Sequence, residues 1–296
     1  MSRMARQSSG IITLLTDFGL ADPFVGVMKG AILSRFPEAR IVDLTHELPV
    51  HRPTEAGFWL ARSFEYFPSG TVHVAVVDPG VGTSRGILCM ASRGHLLVAP
   101  DNGLLAQCGA RDPHAETVQL ASAGLAGIGI RQVSATFHGR DIFAPVAAEL
   151  AAGRVEPEAL GVCVSERRGA MTPTSGPRAA RSGAAEGPSE PVVAAGMVSG
   201  VVVTIDHFGN LITNIDAALL QTLEEPRVFV GEQRLRLDRT YGDVAAGELL
   251  ALINSFGVLE IAQGEGSAAL ALGVGRGARV TIRGSAKDLL GGANPL

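Results

Sequence analysis

Apolar and polar positions fall into two regimes along this chain. Up to about residue 152, short apolar runs alternate with segments of helical spacing. Ile11 to Leu15 is a short apolar run that ends in Thr16-Asp17-Phe18-Gly19, which predicts a buried strand with polar residues at its C-terminal end. Phe24 to Arg35 has helical spacing and stops near Pro37, and Ala39 to Leu44 predicts a second strand. Thr54 to Phe67 predicts another helix and Thr71 to Val77 a third strand. Ile87 to Ala91 and His95 to Ala99 flank Ser92-Arg93-Gly94, a hairpin pattern. A helix is expected to open between Asn102 and Ala106, and Phe143 to Ala152 follows a helical period. Strands alternating with helices imply an α/β domain with a mostly parallel sheet flanked by helices.

The pattern breaks at Ser165. The stretch 165–190 is rich in Gly, Pro, Ser and Ala and poor in large apolar residues, the composition of a flexible linker or loop. Beyond it, Gly196 to Ile205, Arg227 to Val230, Gln233 to Leu237, Leu249 to Ile253, Val258 to Ala262 and Ala278 to Ile282 are short strand-like runs separated by Gly and Asp turns. These predict a smaller, all-β, barrel-like domain. The expected division is therefore 11–164 (α/β), 165–193 (linker) and 194–296 (β).

Composition narrows the function classes. Hydrophobic residues make up 46% and charged residues 18% of the 296, enough for a real core. A net charge of -4 leaves no electrostatic footprint for nucleic acid. No apolar run reaches the ~20 residues needed to span a bilayer, and the first ten residues lack a signal-peptide core, so a cytoplasmic protein without membrane or nucleic-acid partners is expected. Cys89, Cys108 and Cys163 sit in apolar settings without a CxxC pair and are expected to be buried free thiols. None of the 7 histidines has metal-ligand spacing, so no metal site is expected.

Candidate chemistry lies where apolar runs end. Asp78-Pro79-Gly80-Val81-Gly82-Thr83-Ser84-Arg85 follows the third strand, with a carboxylate opening the turn and a guanidinium closing it. Such a pair can polarise water or grip a substrate at the strand end of an α/β sheet, or it can simply be a salt bridge across a tight turn. Asp17 is placed to accept hydrogen bonds from ribose hydroxyls, or to cap a turn. His138, beside Gly139, can polarise water or serve structurally. In the second domain, Asp206-His207-Phe208-Gly209-Asn210 reads as a turn whose Asn amide could match a purine edge. Ser255 with neighbouring amides could take a carboxylate, and Tyr241 could stack on a base or cover the core.

Taken in order, LLTDFG, KGAILSRFPEARIVDLTHELP, FPSGTVHVAVVDPGVGTSR, VAPDNGLL, TFHGRDIFAP, IDHFGNLITNI and INSFGVLEIAQGEGSAA are far more specific than any one of them. From Ile11 to Ile282, apart from 165–190, the chain resembles the S-adenosylmethionine hydroxide adenosyltransferase family, adenosine-forming hydrolases related to fluorinating and chlorinating enzymes. The resemblance implies an α/β domain joined to a β-barrel-like domain, in a homotrimer with active sites between subunits. It implies S-adenosylmethionine as substrate, no cofactor, and a water-activating trio at Asp78, Arg85 and His138. It further implies that Asp17 holds the ribose hydroxyls, Asp206 and Ser255 meet the methionine amino and carboxylate groups, Asn210 reads adenine, and Phe208 and Tyr241 surround the base. The chain departs from the family pattern after the His-Glu segment, where Pro-Gln-Asp is usual but Pro49 is followed by Val50-His51-Arg52, and at Gly264, where Asn is common.

The implied reaction is attack of water on ribose C5′ with a neutral thioether leaving. In the halogenating relatives an aromatic stands in place of the acid of the trio and the His is not retained, so all three residues together favour hydrolysis. The alternatives are a halogenase of the same fold, a non-catalytic sensor of S-adenosylmethionine or adenosine, and a metal-dependent phosphatase.

Overall fold

A computed structural model describes residues 8–164, 190–221 and 223–286. The chain divides between residues 184 and 185 into two compact units. Almost all of the expected linker, 165–193, lies outside the described residues.

In the first unit the elements run β1 (Ile11–Thr16), α1 (Phe24–Arg35), β2 (Arg40–Thr45), α2 (Pro53–Ser63), β3 (Val72–Val76), β4 (Ile87–Ser92), β5 (His95–Pro100), α3 (Ala106–Arg111), β6 (Glu116–Leu120), α4 (Ser122–Gly127), α5 (Ala144–Ala151), α6 (Pro157–Leu160) and β7 (Gly161–Cys163). They form a seven-stranded sheet in the order β2-β1-β3-β5-β4-β6-β7. The pairs β1/β2, β1/β3 and β3/β5 are parallel, whereas β5/β4, β4/β6 and β6/β7 are antiparallel. Two reversals bring β6 back to the direction of β5, so only β4 and β7 run against the rest.

The alternation of side chains across the strands explains why they are apolar throughout. Ile12, Leu14, Val72, Val74 and Val76 join Met28 and Ile32 of α1 and Val146 and Leu150 of α5 in one core layer. Leu15, Ala75, Leu97 and Ala99 join Ala56 and Leu60 of α2 and Cys108 of α3 in the other. Both faces of the central strands are thus covered, as a doubly wound sheet requires. His73 is fully buried between these strands, with Nδ1 2.8 Å from the Thr13 hydroxyl and Nε2 3.2 Å from Nδ1 of His95. Burial pushes the His73 imidazole down to about 3, and the neighbouring His95 adds to the shift.

The β4–β5 hairpin turns through Arg93 and Gly94, both at positive φ (46° and 85°), the geometry that matches strand twist. Two expectations needed adjustment. The helix expected over 54–67 stops at Ser63 and continues as a 3₁₀ turn over Phe64–Tyr66. The helix expected to open between Asn102 and Ala106 begins at Ala106. Cys163 is exposed rather than buried, since it ends the edge strand β7; Cys89 and Cys108 are buried.

The second unit contains β8 (Val192–Ala194), β9 (Met197–Ile205), β10 (Leu211–Asp216), α7 (Ala217–Leu220), β11 (Leu223–Val230), β12 (Gln233–Leu235), β13 (Leu249–Ile253), β14 (Val258–Gln263), α8 (Ala268–Leu272) and β15 (Arg279–Ala286). The strand order is β12-β11-β15-β9-β10-β14-β13, all antiparallel, with β8 added to β9. The two ends of this order approach each other: Asp238 donates from its amide to the Ala251 carbonyl (2.8 Å) and Ala251 to that of Arg236 (3.0 Å). The sheet is therefore a nearly closed barrel around Val198, Leu211, Val228, Leu259, Ile261 and Ile282. Among the described residues, no helix is long and apolar enough to cross a membrane.

Candidate active site

In the first unit the candidate residues gather at the C-terminal ends of parallel strands. β1 and β3 are neighbours, with Thr16 opposite Val76, so Asp17 and Asp78 leave the sheet at the same edge. β5 lies on the other side of β3, and Asn102, just beyond it, donates from Nδ2 to the Val77 carbonyl (2.8 Å). That bond fixes the strand end from which the 78–85 turn departs.

The turn folds back so that Arg85 meets Asp78 in a fork. Nε lies 3.0 and 2.9 Å from the two carboxylate oxygens, and Nη2 donates to Oδ2 as well. The Asp78 and Arg85 side chains are 5% and 7% exposed, so this pair is shielded from water, unlike a surface salt bridge. Gly82 sits at the tip with φ +76°, and a Cβ there would stand 2.1 Å from the Ala135 carbonyl oxygen. Only glycine lets the turn press against the loop that carries His138.

His138 precedes a π-helical turn, Gly139–Phe143, that leads into α5. Such turns widen a helix locally and are frequent at functional sites. Asp141 steadies the loop by accepting from the Ser134 amide (2.8 Å), and the Arg140 guanidinium beside it holds its carboxyl down to about 2. Nη2 of Arg85 donates to Nδ1 of His138 at 2.8 Å. Burial lowers the His138 pKa and the Arg85 charge lowers it further, while Asp78, Asp141 and a hydrogen bond to the Ser134 backbone oppose that shift. The lowered pKa favours the neutral imidazole, whose Nδ1 accepts from Arg85.

Asp17 accepts from the amide of His51 (2.9 Å), a residue in the left-handed region at φ 62°. The segment reaching Asp17 is anchored by His46, whose Nδ1 lies 2.8 Å from the Thr16 hydroxyl and whose carbonyl accepts from the Gly19 amide (2.8 Å). The departure from the family pattern at His51 thus falls directly on Asp17.

The second unit holds a separate constellation. Asp206 organises the β9–β10 turn: Oδ1 accepts from the amides of Phe208 and Asn210 (both 2.9 Å), and Oδ2 from Nδ2 of Asn210 (3.0 Å). Asn210 is buried, whereas Phe208 is 73% exposed. Tyr241 presents its ring at the surface and donates its hydroxyl to Glu260 (2.7 Å). Ser255 is exposed in the β13–β14 turn, which its neighbour Asn254 shapes by accepting from the amides of Phe256 (3.0 Å) and Val258 (3.3 Å). Sequence reasoning missed Asn102, Asn254 and Glu260. The signal for Glu260 was a carboxylate alone in the apolar run Val258-Leu259-Glu260-Ile261-Ala262. Among the described residues, no group of three His, Cys, Asp or Glu side chains could hold a metal ion.

A doubly wound domain with a shielded carboxylate–guanidinium–imidazole centre at its strand ends, followed by a β-barrel with a second polar constellation, defines a two-domain α/β–β protein. Residues 12–161 match the SAM hydroxide adenosyltransferase N-terminal domain and residues 200–281 the corresponding C-terminal domain. The chain belongs to the SAM hydroxide adenosyltransferase family. It is 38% identical to an (R)-S-adenosyl-L-methionine hydrolase of Thermus thermophilus, covering 92% of this chain and 98% of the relative, and 38% identical to one of Salinispora tropica, covering 92% and 97%. A fluorinase of an Actinoplanes species is more distant, at 26% identity over 94% of this chain and 99% of the relative. A crystal structure of a conserved Thermotoga maritima protein superimposes with a TM-score of 0.78 at 35% identity, covering 92% of this chain and 99% of that one.

Proposed function

We propose that this protein hydrolyses S-adenosylmethionine to adenosine and methionine. The observation that carries the reading is the shielded contact of Asp78, Arg85 and His138, supported by the hydrolase names of relatives at 38% identity. Those names specify the (R)-sulfonium epimer, and we extend that preference to this chain.

Water oxygen forms the bond to C5′ as the C5′–S bond breaks, and the bonding pair leaves with sulfur as a neutral thioether. No acid is needed at sulfur. The obstacle is the weak nucleophile. A guanidinium beside the water favours its hydroxide-like form as attack proceeds. Asp78 retains lone pairs beyond those used by Arg85 and is the proposed proton acceptor. Nδ1 of His138 accepts from Arg85, so its proposed role is to hold Arg85 in line. Asp17 anchors the ribose hydroxyls so that C5′ faces the water. Asn210 reads adenine, Phe208 and Tyr241 flank the base, and Asp206 and Ser255 take the amino and carboxylate groups of the methionine portion.

Family resemblance also supports a cytoplasmic homotrimer whose sites combine residues of neighbouring subunits. Mixing Asp78→Ala with Asp206→Ala protein after dissociation and reassembly then restores part of the activity, whereas sites confined to one subunit stay dead. The reaction itself is tested in ¹⁸O-labelled water. Adenosine carrying the label on its 5′-oxygen is the expected product. A requirement for halide with formation of 5′-halo-adenosine, or binding without any product, overturns the hydrolase reading.

A further inference from the structure

Glu260 is a buried carboxylate for which the reaction described above has no use. It lies on β14 opposite Ile212 of β10 and Leu252 of β13, and directly paired residues share a face of a sheet. That face is the one turned away from the barrel core, since Ile261, one residue along, points into the core with Leu211 and Ala251. The side covering it is nevertheless dry: Leu250, Leu252 and Ala262 pack there with Val244, and Glu260 is only 2% exposed.

A carboxylate in such a place is costly unless its oxygens are occupied. Here each takes one donor. Oε1 accepts from the Tyr241 hydroxyl at 2.7 Å and Oε2 from Nδ2 of Asn254 at 3.1 Å. No cation among the described residues forms an ion pair with it. Burial raises its pKa, the Tyr241 and Asn254 hydrogen bonds counter the rise, and the Asp206 charge adds to it.

The two donors lead in different directions. Tyr241 begins a 3₁₀ turn closed by a reciprocal Thr240–Asp243 cap, so its backbone is fixed and the hydroxyl tether fixes the ring. Asn254 uses Oδ1 to build the turn in which Ser255 is exposed, and uses Nδ2 to anchor that turn to Glu260. An isolated structural carboxylate would serve one of these loops. This one ties both to the same strand.

We propose that Glu260 is a positioning residue that sets the distance between the surface recognising the base, through Tyr241, and the surface recognising the amino-acid carboxylate, through Asn254 and Ser255. The assignment rests on the substrate reading given above. A ligand bearing both ends gains from that spacing, so Glu260 selects the intact sulfonium over either product alone. Loss of the spacing weakens grip at both ends without touching the atoms that react.

The conservative variant is Glu260→Gln. Its amide oxygen keeps the bond from Asn254, its NH₂ can donate to the Tyr241 hydroxyl only if that hydroxyl turns, and the charge that strengthened both bonds is lost. We expect KM for S-adenosylmethionine to rise about tenfold or more, the size of one lost charge-assisted hydrogen bond, with kcat within about threefold. Inhibition by adenosine and by methionine should both weaken. Tyr241→Phe should weaken adenosine alone and Asn254→Ala methionine alone. The Glu260→Gln/Tyr241→Phe double variant should then resemble Glu260→Gln with respect to adenosine. An unchanged KM, a fall in kcat alone, or weakening at only one end overturns the proposal. Should Glu260→Gln fold poorly, the separate effects of Tyr241→Phe and Asn254→Ala decide it in the same way. Wild-type turnover is measured first. Normal wild-type turnover with unaltered Glu260→Gln overturns Glu260 alone; a wild type that makes no adenosine overturns the hydrolase reading, with calorimetric binding of adenosine and methionine still reporting on Glu260. A wild type that binds neither overturns both.

Discussion

Arg85 donates to His138 across 2.8 Å, and the donor is a group that has no acceptor to offer. Whichever ring nitrogen faces Arg85 must therefore carry the lone pair. In the neutral ring the proton then sits on the other nitrogen. A histidine bound in this way holds an arginine in place, in keeping with the proposed acid–base role of Asp78.

Removal of the two partners should therefore have unequal effects. Asp78→Asn keeps the volume but removes the charge and the proton acceptor, and kcat should fall about 10²- to 10⁴-fold. His138→Ala should cost less, because Arg85 retains its fork to Asp78. The double variant should lose much less than the product of the two effects, since the three side chains act as a unit. Single-turnover rates measure this; a larger loss for His138→Ala than for Asp78→Asn contradicts the division of roles.

The pH profile follows from the direction of the His138 shift. Burial and the Arg85 charge lower its pKa from the ordinary 6.5, so the neutral form persists below that value. Protonation would place a hydrogen where Arg85 donates. The acid limb of kcat/KM assigned to His138 should fall below pH 6.5, with a plateau above. His138→Asn should remove that limb, and a limb centred above pH 6.5 counts against the assignment.

Acid stability should depend on a residue remote from the site. His73 is buried and neutral with a pKa of about 3, whereas an unfolded chain protonates it near 6.5. The unfolded state therefore binds more protons between these values, and stability is lost as the pH is lowered through that window, by up to about 1.4 kcal/mol per unit. Above pH 6.5 the residue contributes no slope. His73→Gln should flatten the dependence between pH 6.5 and 4.5 in denaturant melts, whatever it does to stability at pH 7.

Gly82→Ala tests the close approach at the turn tip. The new Cβ would stand 2.1 Å from the Ala135 oxygen, at φ +76°. Backbone must move, at a cost of about 1–3 kcal/mol. The displaced segment lies between Asp78 and Arg85, so kcat should drop together with the melting temperature. Thr83→Ala, at the exposed neighbour, should drop kcat much less.

The fold was legible where burial fixed the pattern. Strands β1, β3, β5 and β9 are covered by apolar layers, and their runs of Ile, Leu and Val announced them. β6 was missed because Glu116, Thr117 and Gln119 break its apolar run, and the extent of β10 because Thr213 and Asn214 resemble a turn. Of the site, Asp78 and Arg85 were visible as charged residues bracketing a glycine turn. Their connection to His138, 53 residues on, came only through the family resemblance and not from the residues' own pattern. It depends on Gly82 touching Ala135, a contact between two loops that leaves no periodicity in sequence. Glu260 was hidden for the opposite reason: it sits within a strand whose apolar neighbours were read as core.

Asp78 and Arg85 are separated by seven positions in sequence, yet the strands that carry them are not adjacent. β3 ends at Val76 and β4 begins at Ile87, and β5, made later in synthesis, slots between them. The ion pair thus bridges the end of a strand that does not yet exist when both residues have left the ribosome. Asn102, which pins the β3 end, comes later still. A nascent or half-unfolded chain holds the acid and the base-like charge close in sequence without holding them in register. The proposed reactive centre is therefore a certificate of the completed sheet, and adenosine formation serves as an assay of folding as much as of chemistry.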